Sequence, residues 1–198
     1  MTGDLFAEAM ISFRELLDEA RATGDPEPTA MTLASVDDEG RPSARIVLLK
    51  SHDERGFVFY TNYRSRKGRE LLAHPPAALL FHWKTLRNQI QVRIEGRIET
   101  VGAAEADTYF ASRPRASQIG AWASDQSETL ASREEFERRI LQYERQFAHG
   151  AVPRPPHWSG FRLVPDRMEF WYGAEYRLHE RYCYECLAGV WHKRMLYP

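Results

Sequence analysis

Three stretches of the sequence bring together side chains suited to gripping an anion. The first is residues 45–50 (RIVLLK), taken with Tyr60-Thr61-Asn62 and Ser65-Arg66-Lys67. The ends of three expected elements each deliver basic or hydroxyl groups there. A helix starting after Ser65 would add unpaired backbone donors and a favourable dipole to the charges of Arg66 and Lys67. A solvated charged turn accounts for Ser-Arg-Lys alone; with Arg45 and Lys50 on a neighbouring strand, phosphate binding accounts for more. Strict alternation puts Arg45 and Lys50 on opposite faces of one strand, so either the strand bends or the two serve different groups. The second stretch is residues 109–118 (YFASRPRASQ). Tyr109 and Arg113 are four apart on a helical face, and Ser117 follows one turn later if the helix survives Pro114. Hydroxyl, guanidinium and hydroxyl make a phosphate cradle; an ordinary polar helix surface is the alternative. The third is Trp171 with Arg177-Leu178-His179-Glu180-Arg181. On a strand, Arg177, His179 and Arg181 would share a face, a repulsive trio unless it meets an anion or carboxylate. The alternative is an edge strand charged against aggregation.

Other chemistries lack their residues. Cys183 and Cys186 have Cys-x-x-Cys spacing, but inside an expected strand and without a second pair, so they are read as packing residues. The seven His show no metal-ligand spacing, and no metal is expected. Gly-x-Gly-x-x-Gly, Walker-type and Gly-x-Ser-x-Gly motifs are absent. The 27 Lys+Arg balance 28 Asp+Glu, a formal net charge of -1, which argues against a chain that coats nucleic acid through excess positive charge. Within that balance the skew is large: 23 Arg against four Lys. Arginine suits planar recognition of phosphate or carboxylate; codon bias is the plain alternative. No run approaches the roughly 20 apolar residues of a membrane span, and the N-terminus lacks a signal-peptide pattern, so a cytoplasmic protein is expected.

These groups must be positioned by elements whose periods are readable. Leu5, Phe6, Ala9, Met10, Phe13, Leu16, Leu17 and Ala20 recur at helical steps, giving an N-terminal helix over 4–23 that Gly24, Pro26 and Pro28 end. Strands are expected over 30–36, 43–50, 56–61, 77–83 and 88–101, with Gly96 marking a bulge. Ser65 is the expected N-cap of a short helix stopped by Pro75 and Pro76. A helical insertion at about 103–148 comprises 103–112, 116–124 and 133–148, with Pro114 as the break. Strands return over 160–164, 167–172, 177–184 and 190–195. Strand-rich halves flanking helices imply one mainly β domain (α+β) spanning 1–198, its antiparallel strands closed into a barrel.

Taken in order, RIVLLK, FYTNYRSRKG, Gln89-Ile90-Gln91-Val92, YFASRPRASQIGAW, Ser124-Asp125-Gln126-Ser127, GFRLVPDRMEFW and Arg177-Leu178-His179 closely resemble the pyridoxine/pyridoxamine 5'-phosphate oxidase family, from about Pro28 to the C-terminus. The resemblance implies an antiparallel FMN-binding split β-barrel, acting as a homodimer with the flavin at the interface. It implies FMN held by Arg45, Ile46, Val47, Leu48, Leu49, Lys50, Tyr60, Thr61, Arg66, Lys67, Gln89, Gln126, Ser127, Trp171 and Arg181. Lys50, Tyr109, Arg113 and Ser117 would cradle the substrate phosphate; Arg177, Leu178 and His179 would contact the substrate, with Arg177 and His179 the catalytic pair over its ring. The implied reaction oxidises pyridoxine or pyridoxamine 5'-phosphate to pyridoxal 5'-phosphate with O2, releasing H2O2. The rivals are a same-fold FMN oxidase of the phenazine-biosynthesis type, a flavin- or pyridoxal-phosphate-binding module without turnover, and a nucleic-acid-binding barrel. The short segment before the first helix and the ending after Trp191 depart from the family pattern, which bears on lid closure and C-terminal packing.

Overall fold

The computed structural model describes residues 4–198. Helix α1 (Leu5–Ala22) starts where Asp4 accepts hydrogen bonds from the Phe6 and Ala7 amides, and its stripe of Ala9, Phe13, Leu16, Leu17 and Ala20 is buried. Phe13 lies edge-on to Phe57 and Phe81, with centroids 4.9 and 5.1 Å away. Phe13→Ala should therefore destabilise the fold by about 3–5 kcal/mol, the usual cost of emptying a buried aromatic site, read from chemical denaturation.

Among the described residues nine strands form one antiparallel sheet: β1 (Ala30–Val36), β2 (Pro42–Leu48), β3 (Ser51–Asp53), β4 (Gly56–Asn62), β5 (Pro76–Trp83), β6 (Ile90–Thr100), β7 (Trp158–Tyr172), β8 (Glu180–Leu187) and β9 (Val190–Leu196). The order is β2-β1-β5-β6-β7-β4-β3, with the β8–β9 hairpin also hanging from β7. Helix α2 (Arg66–Ala73) follows β4, and α3 (Ala103–Ser112), α4 (Arg115–Ala123) and α5 (Arg133–Gln146) lie between β6 and β7.

β2 and β3 stand at opposite ends of the sheet order, yet only Leu49 and Lys50 separate them in the chain. The Leu49 amide donates to Thr29 O beside β1 (2.9 Å), and the Lys50 amide donates to Val58 O of β4 (2.8 Å). The sheet therefore curls back on itself at these two residues. Away from that point β2 pairs with β1 alone, and residues 59–62 of β4 pair with β7 alone. Among the described residues the facing edges of β2 and β4 stay unpaired, so the barrel is split there.

Several expected boundaries shift for physical reasons. The strand expected over 43–50 ends at Leu48, because the chain changes partners at Leu49–Lys50 and continues as β3. The strands expected over 160–164 and 167–172 are one, β7. Pro165 does not break it because the register with β6 skips Asp166, pairing Gly96 with Pro165 and Glu95 with Arg167. The bulge is thus beside Gly96 as expected, with the extra residue on the partner strand. A Cβ on Gly96 would come 2.0 Å from Val164 O. The strand expected from 177 begins only at Glu180. Residues 175–177 form a 3-10 turn in which Tyr176 and Arg177 have φ of 54° and 64°.

Candidate active site in the barrel split

A cavity of about 900 Å³ opens at the split. β2 contributes Arg45, Ile46, Val47 and Leu48; the β2–β3 link contributes Lys50; β4 contributes Tyr60, Thr61 and Asn62; α2 contributes Lys67. The helical insertion closes the far side with Tyr109, Ser112, Arg113, Ser117 and Gln126, and Trp158 comes from the start of β7. Among the described residues the lining holds four cationic side chains, Arg45, Lys50, Lys67 and Arg113, and no carboxylate. In a chain whose acids and bases nearly cancel, that segregation marks a site for anions.

Pro114 ends α3 and caps α4, with Arg113 in extended conformation between them. The break leaves Tyr109, Arg113 and Ser117 all on the cavity wall. The Arg113 guanidinium lies over Trp158, 4.6 Å from the ring centroid, and its Nη1 is buried without a hydrogen-bond partner among the described residues. Burial lowers the pKa of this group, and a bound anion would relieve that penalty. Tyr60 stacks on Tyr109 at 4.0 Å and on Trp158 at 5.3 Å. Gly160, opposite Tyr60 in the ladder, makes room for this stack: a Cβ there would sit 2.7 Å from the tyrosine ring. Burial, with the nearby Glu105 charge next, raises the Tyr60 hydroxyl to about 12, so it stays protonated as a donor.

On the same lining Lys67 Nζ donates to Gln126 Oε1 (3.1 Å) and Thr61 Oγ1 (3.4 Å). Burial, then the Arg45 charge, lowers the Lys67 pKa. Ser65 caps α2 through the Gly68 amide, and Ser127 Oγ accepts from the Arg66 amide at 3.1 Å. The first turn of α2 thus spends part of its donor capacity on the protein itself. The Arg66 side chain is exposed and lies outside the cavity lining, as does Ser127. Leu49 also departs from expectation: its side chain is in the main core, leaving only its backbone at the split.

Sequence reasoning missed Trp158 and Glu70. Glu70 is buried on α2 and accepts from Ser35 Oγ (2.6 Å), Ser43 Oγ (2.7 Å), Arg45 Nη2 (3.1 Å) and Arg66 Nε (2.8 Å). The one available signal was its i,i+4 spacing from Arg66. Burial pushes the Glu70 carboxyl up, but these four hydrogen bonds outweigh it and hold the pKa at about 2, against an ordinary 4.5. A carboxylate depressed in the folded state adds stability above its unfolded pKa and loses it as pH falls through the folded one. Wild-type protein should therefore lose about 3 kcal/mol more than Glu70→Gln between about pH 5 and pH 2, measured by denaturant unfolding across that range.

The remaining expected site residues lie elsewhere on this chain. Trp171 and Arg181 face each other across β7 and β8 and line a second cavity of about 250 Å³ with Gln91, Arg93 and Glu169. Arg181 is held by the buried Glu169, with Nε and Nη2 2.9 and 2.7 Å from its Oε1. His179 lies against Trp171, 4.4 Å between ring centroids, and its Nδ1 accepts from the Ala174 amide. Gln89 hydrogen-bonds His82. Because Arg177 is in the 3-10 turn, Arg177, His179 and Arg181 do not share a strand face. Gln89, Ser127 and Arg177 all have positive φ, at 68°, 77° and 64°, a backbone state that costs free energy and tends to collect at functional sites. None of the second group lines the large cavity.

The split barrel agrees with what is found by comparison. The family model described as pyridoxamine 5'-phosphate oxidase matches residues 16–147. The chain belongs to that family. A second model, the pyridoxine 5'-phosphate oxidase C-terminal dimerisation region, matches residues 158–198. The pyridoxine/pyridoxamine 5'-phosphate oxidase of Xanthomonas euvesicatoria pv. vesicatoria is 59% identical over 197 residues, 98% of this chain and 99% of that one. The crystal structure of PhzG from Burkholderia lata 383, in complex with tetrahydrophenazine-1-carboxylic acid, superposes with a TM-score of 0.84 at 34% identity, covering 93% of this chain and 91% of that one. A pyridoxamine 5'-phosphate oxidase-related, FMN binding protein from Nostoc punctiforme shares the fold, with a TM-score of 0.73 at 16% identity over 94% and 96% of the two chains. Like these relatives, this member of the family is built on a split barrel. Among its described residues, no helix is long and apolar enough to cross a membrane, and no group of three or more His, Cys, Asp or Glu could hold a metal.

Proposed function

We propose that this chain is an FMN-dependent oxidase that converts pyridoxine 5'-phosphate or pyridoxamine 5'-phosphate to pyridoxal 5'-phosphate in the cytoplasm, with O2 as electron acceptor and H2O2 as product. The observation that carries the reading is the cavity at the split, with four cations, no carboxylate and a buried guanidinium nitrogen left unpaired. Two phosphorylated ligands are what such a lining suits. Arg45, Thr61, Lys67 and Gln126 at one end would hold the FMN phosphate and ribityl chain, with Arg66 and Ser127 beside them; Lys50, Tyr109, Arg113 and Ser117 at the other would cradle the substrate phosphate. Bound FMN would supply the two-electron acceptor that takes hydride from the substrate's exocyclic carbon. The residues of the chain do the rest: they anchor phosphate, align the ring and exclude water.

The second group then belongs to the site of the partner subunit. The match to a dimerisation region over 158–198 supports a homodimer. So do the exposed Ile46 on β2 and the exposed Leu187, Val190 and Met195 on the β8–β9 hairpin. In a two-fold dimer, a group outside the cavity of its own chain can reach the cavity of the other. Gln89, Trp171 and Arg181 would complete FMN binding there, and Arg177, Leu178 and His179 would lie over the substrate ring, Arg177 and His179 stabilising charge near the reacting carbon. The whole chain, 1–198, acts as one domain.

The likeness to PhzG favours one second reading, oxidation of a phenazine precursor in the same fold. The unpaired Arg113 Nη1, in a cavity that Lys50 and Ser117 also line, argues for a phosphate ester instead. Purified protein should carry, or take up, a yellow flavin. Under air with pyridoxine 5'-phosphate it should release pyridoxal 5'-phosphate and peroxide in equal amounts. A protein that binds FMN but leaves this substrate untouched would favour the phenazine reading. One that cannot be reconstituted with FMN would overturn both.

A further inference from the structure

We propose that Glu70 is a positioning residue for flavin phosphate: it holds Arg45 and Arg66 in the orientation from which they grip the anion. The inference rests on the flavin reading above and assigns a role to a carboxylate that touches neither ligand.

The geometry is directional. The Ser35 and Ser43 hydroxyls each donate to Glu70 Oε2 and each accept from Arg45, Ser35 from Nη1 and Ser43 from Nη2, both at 2.5 Å. Arg45 Nη1 also donates to Leu33 O at 3.3 Å, and Nη2 to Glu70 Oε2 at 3.1 Å. Both terminal nitrogens of Arg45 are thereby committed, which fixes the guanidinium plane and leaves Nε–H as its one donor without a partner among the described residues. Ser35 and Ser43 can act as this pair because they are direct cross-strand partners in the β1–β2 hairpin. The remaining oxygen, Glu70 Oε1, takes Arg66 Nε–H and leaves both terminal nitrogens of Arg66 for a ligand. One buried carboxylate thus orients two arginines drawn from different elements, and the Glu70 charge also reaches Lys67.

Two effects of removing that carboxylate have opposite signs. Loss of a negative charge near the phosphate would tighten FMN binding. Loss of orientation would weaken it, because each freed arginine must be ordered again on binding. In Glu70→Gln the amide oxygen can keep the hydroxyl donors, but the amide nitrogen then faces Arg66 Nε–H, donor against donor.

The test titrates apoprotein with FMN and, in parallel, with riboflavin, which lacks the phosphate, following flavin fluorescence. Glu70→Gln is expected to bind FMN about tenfold more weakly while riboflavin affinity stays within about twofold. Ser43→Ala, which leaves the Glu70–Arg66 contact in place, guards against a folding defect and should weaken FMN by a few fold on the same pattern. Unchanged or tighter FMN binding by both variants would overturn the proposal, as would equal loss of FMN and riboflavin. Wild-type apoprotein that binds neither flavin would instead overturn the flavin reading itself.

Discussion

Replacing Arg113 by alanine is expected to lower kcat/KM for pyridoxine 5'-phosphate by about 10²- to 10³-fold while leaving the protein as stable as before, or more so. A charge-assisted bond to phosphate contributes about 1.5–3 kcal/mol, and the phosphate anchor also aligns the reacting carbon, so the loss reaches the chemical step. The stability half of the expectation comes from the orphaned Nη1. In the free protein Arg113 bears a burial penalty that no acidic partner offsets, and alanine removes it. An active site commonly carries such a cost for its function. Thermal unfolding and steady-state peroxide release measure the two halves. Unphosphorylated pyridoxine serves as the control: its poor turnover should hardly change. An equal loss on both substrates would mean that Arg113 acts through the aromatic stack and not through the phosphate.

The second large effect is a recovery. Arg113→Ala and Arg177→Ala homodimers should each be nearly inactive, the first in the cavity group, the second in the group beyond it. If each site draws one group from each chain, a heterodimer of the two variants carries one site with both lesions and one site with neither. Random assembly makes about half of the dimers mixed, so co-expressed chains should regain about a quarter of wild-type activity. Arg113→Ala mixed with Lys50→Ala should recover nothing, since both lesions fall in the same group. Recovery no greater than in that control would place both groups in one chain's site, although the two cavities share no lining residue. Arg177→Ala alone should lower turnover more than it lowers FMN affinity.

Much of this protein was determined by sequence alone. The helical stripe ending at Ala20, the Ser65 cap, the break at Pro114 and the bulge beside Gly96 are local matters of period, capping and covalent constraint, and short-range physics decides them. The ordered blocks from RIVLLK to Arg177-Leu178-His179 identified the family and its fold. Tertiary structure alone decided what those residues meet. In sequence only the i,i+4 spacing from Arg66 marks Glu70; it becomes the hub of two arginines because the β1–β2 register sets Ser35 against Ser43. Trp158 follows a Pro-rich connector, and only the return of β7 along β4 lays it beneath Arg113. Arg45 and Lys50, on opposite faces by strict alternation, meet in one cavity because the chain changes pairing partners between them. Each case needs a long-range pairing, and closing a sheet between strands distant in sequence is the property that no local period encodes.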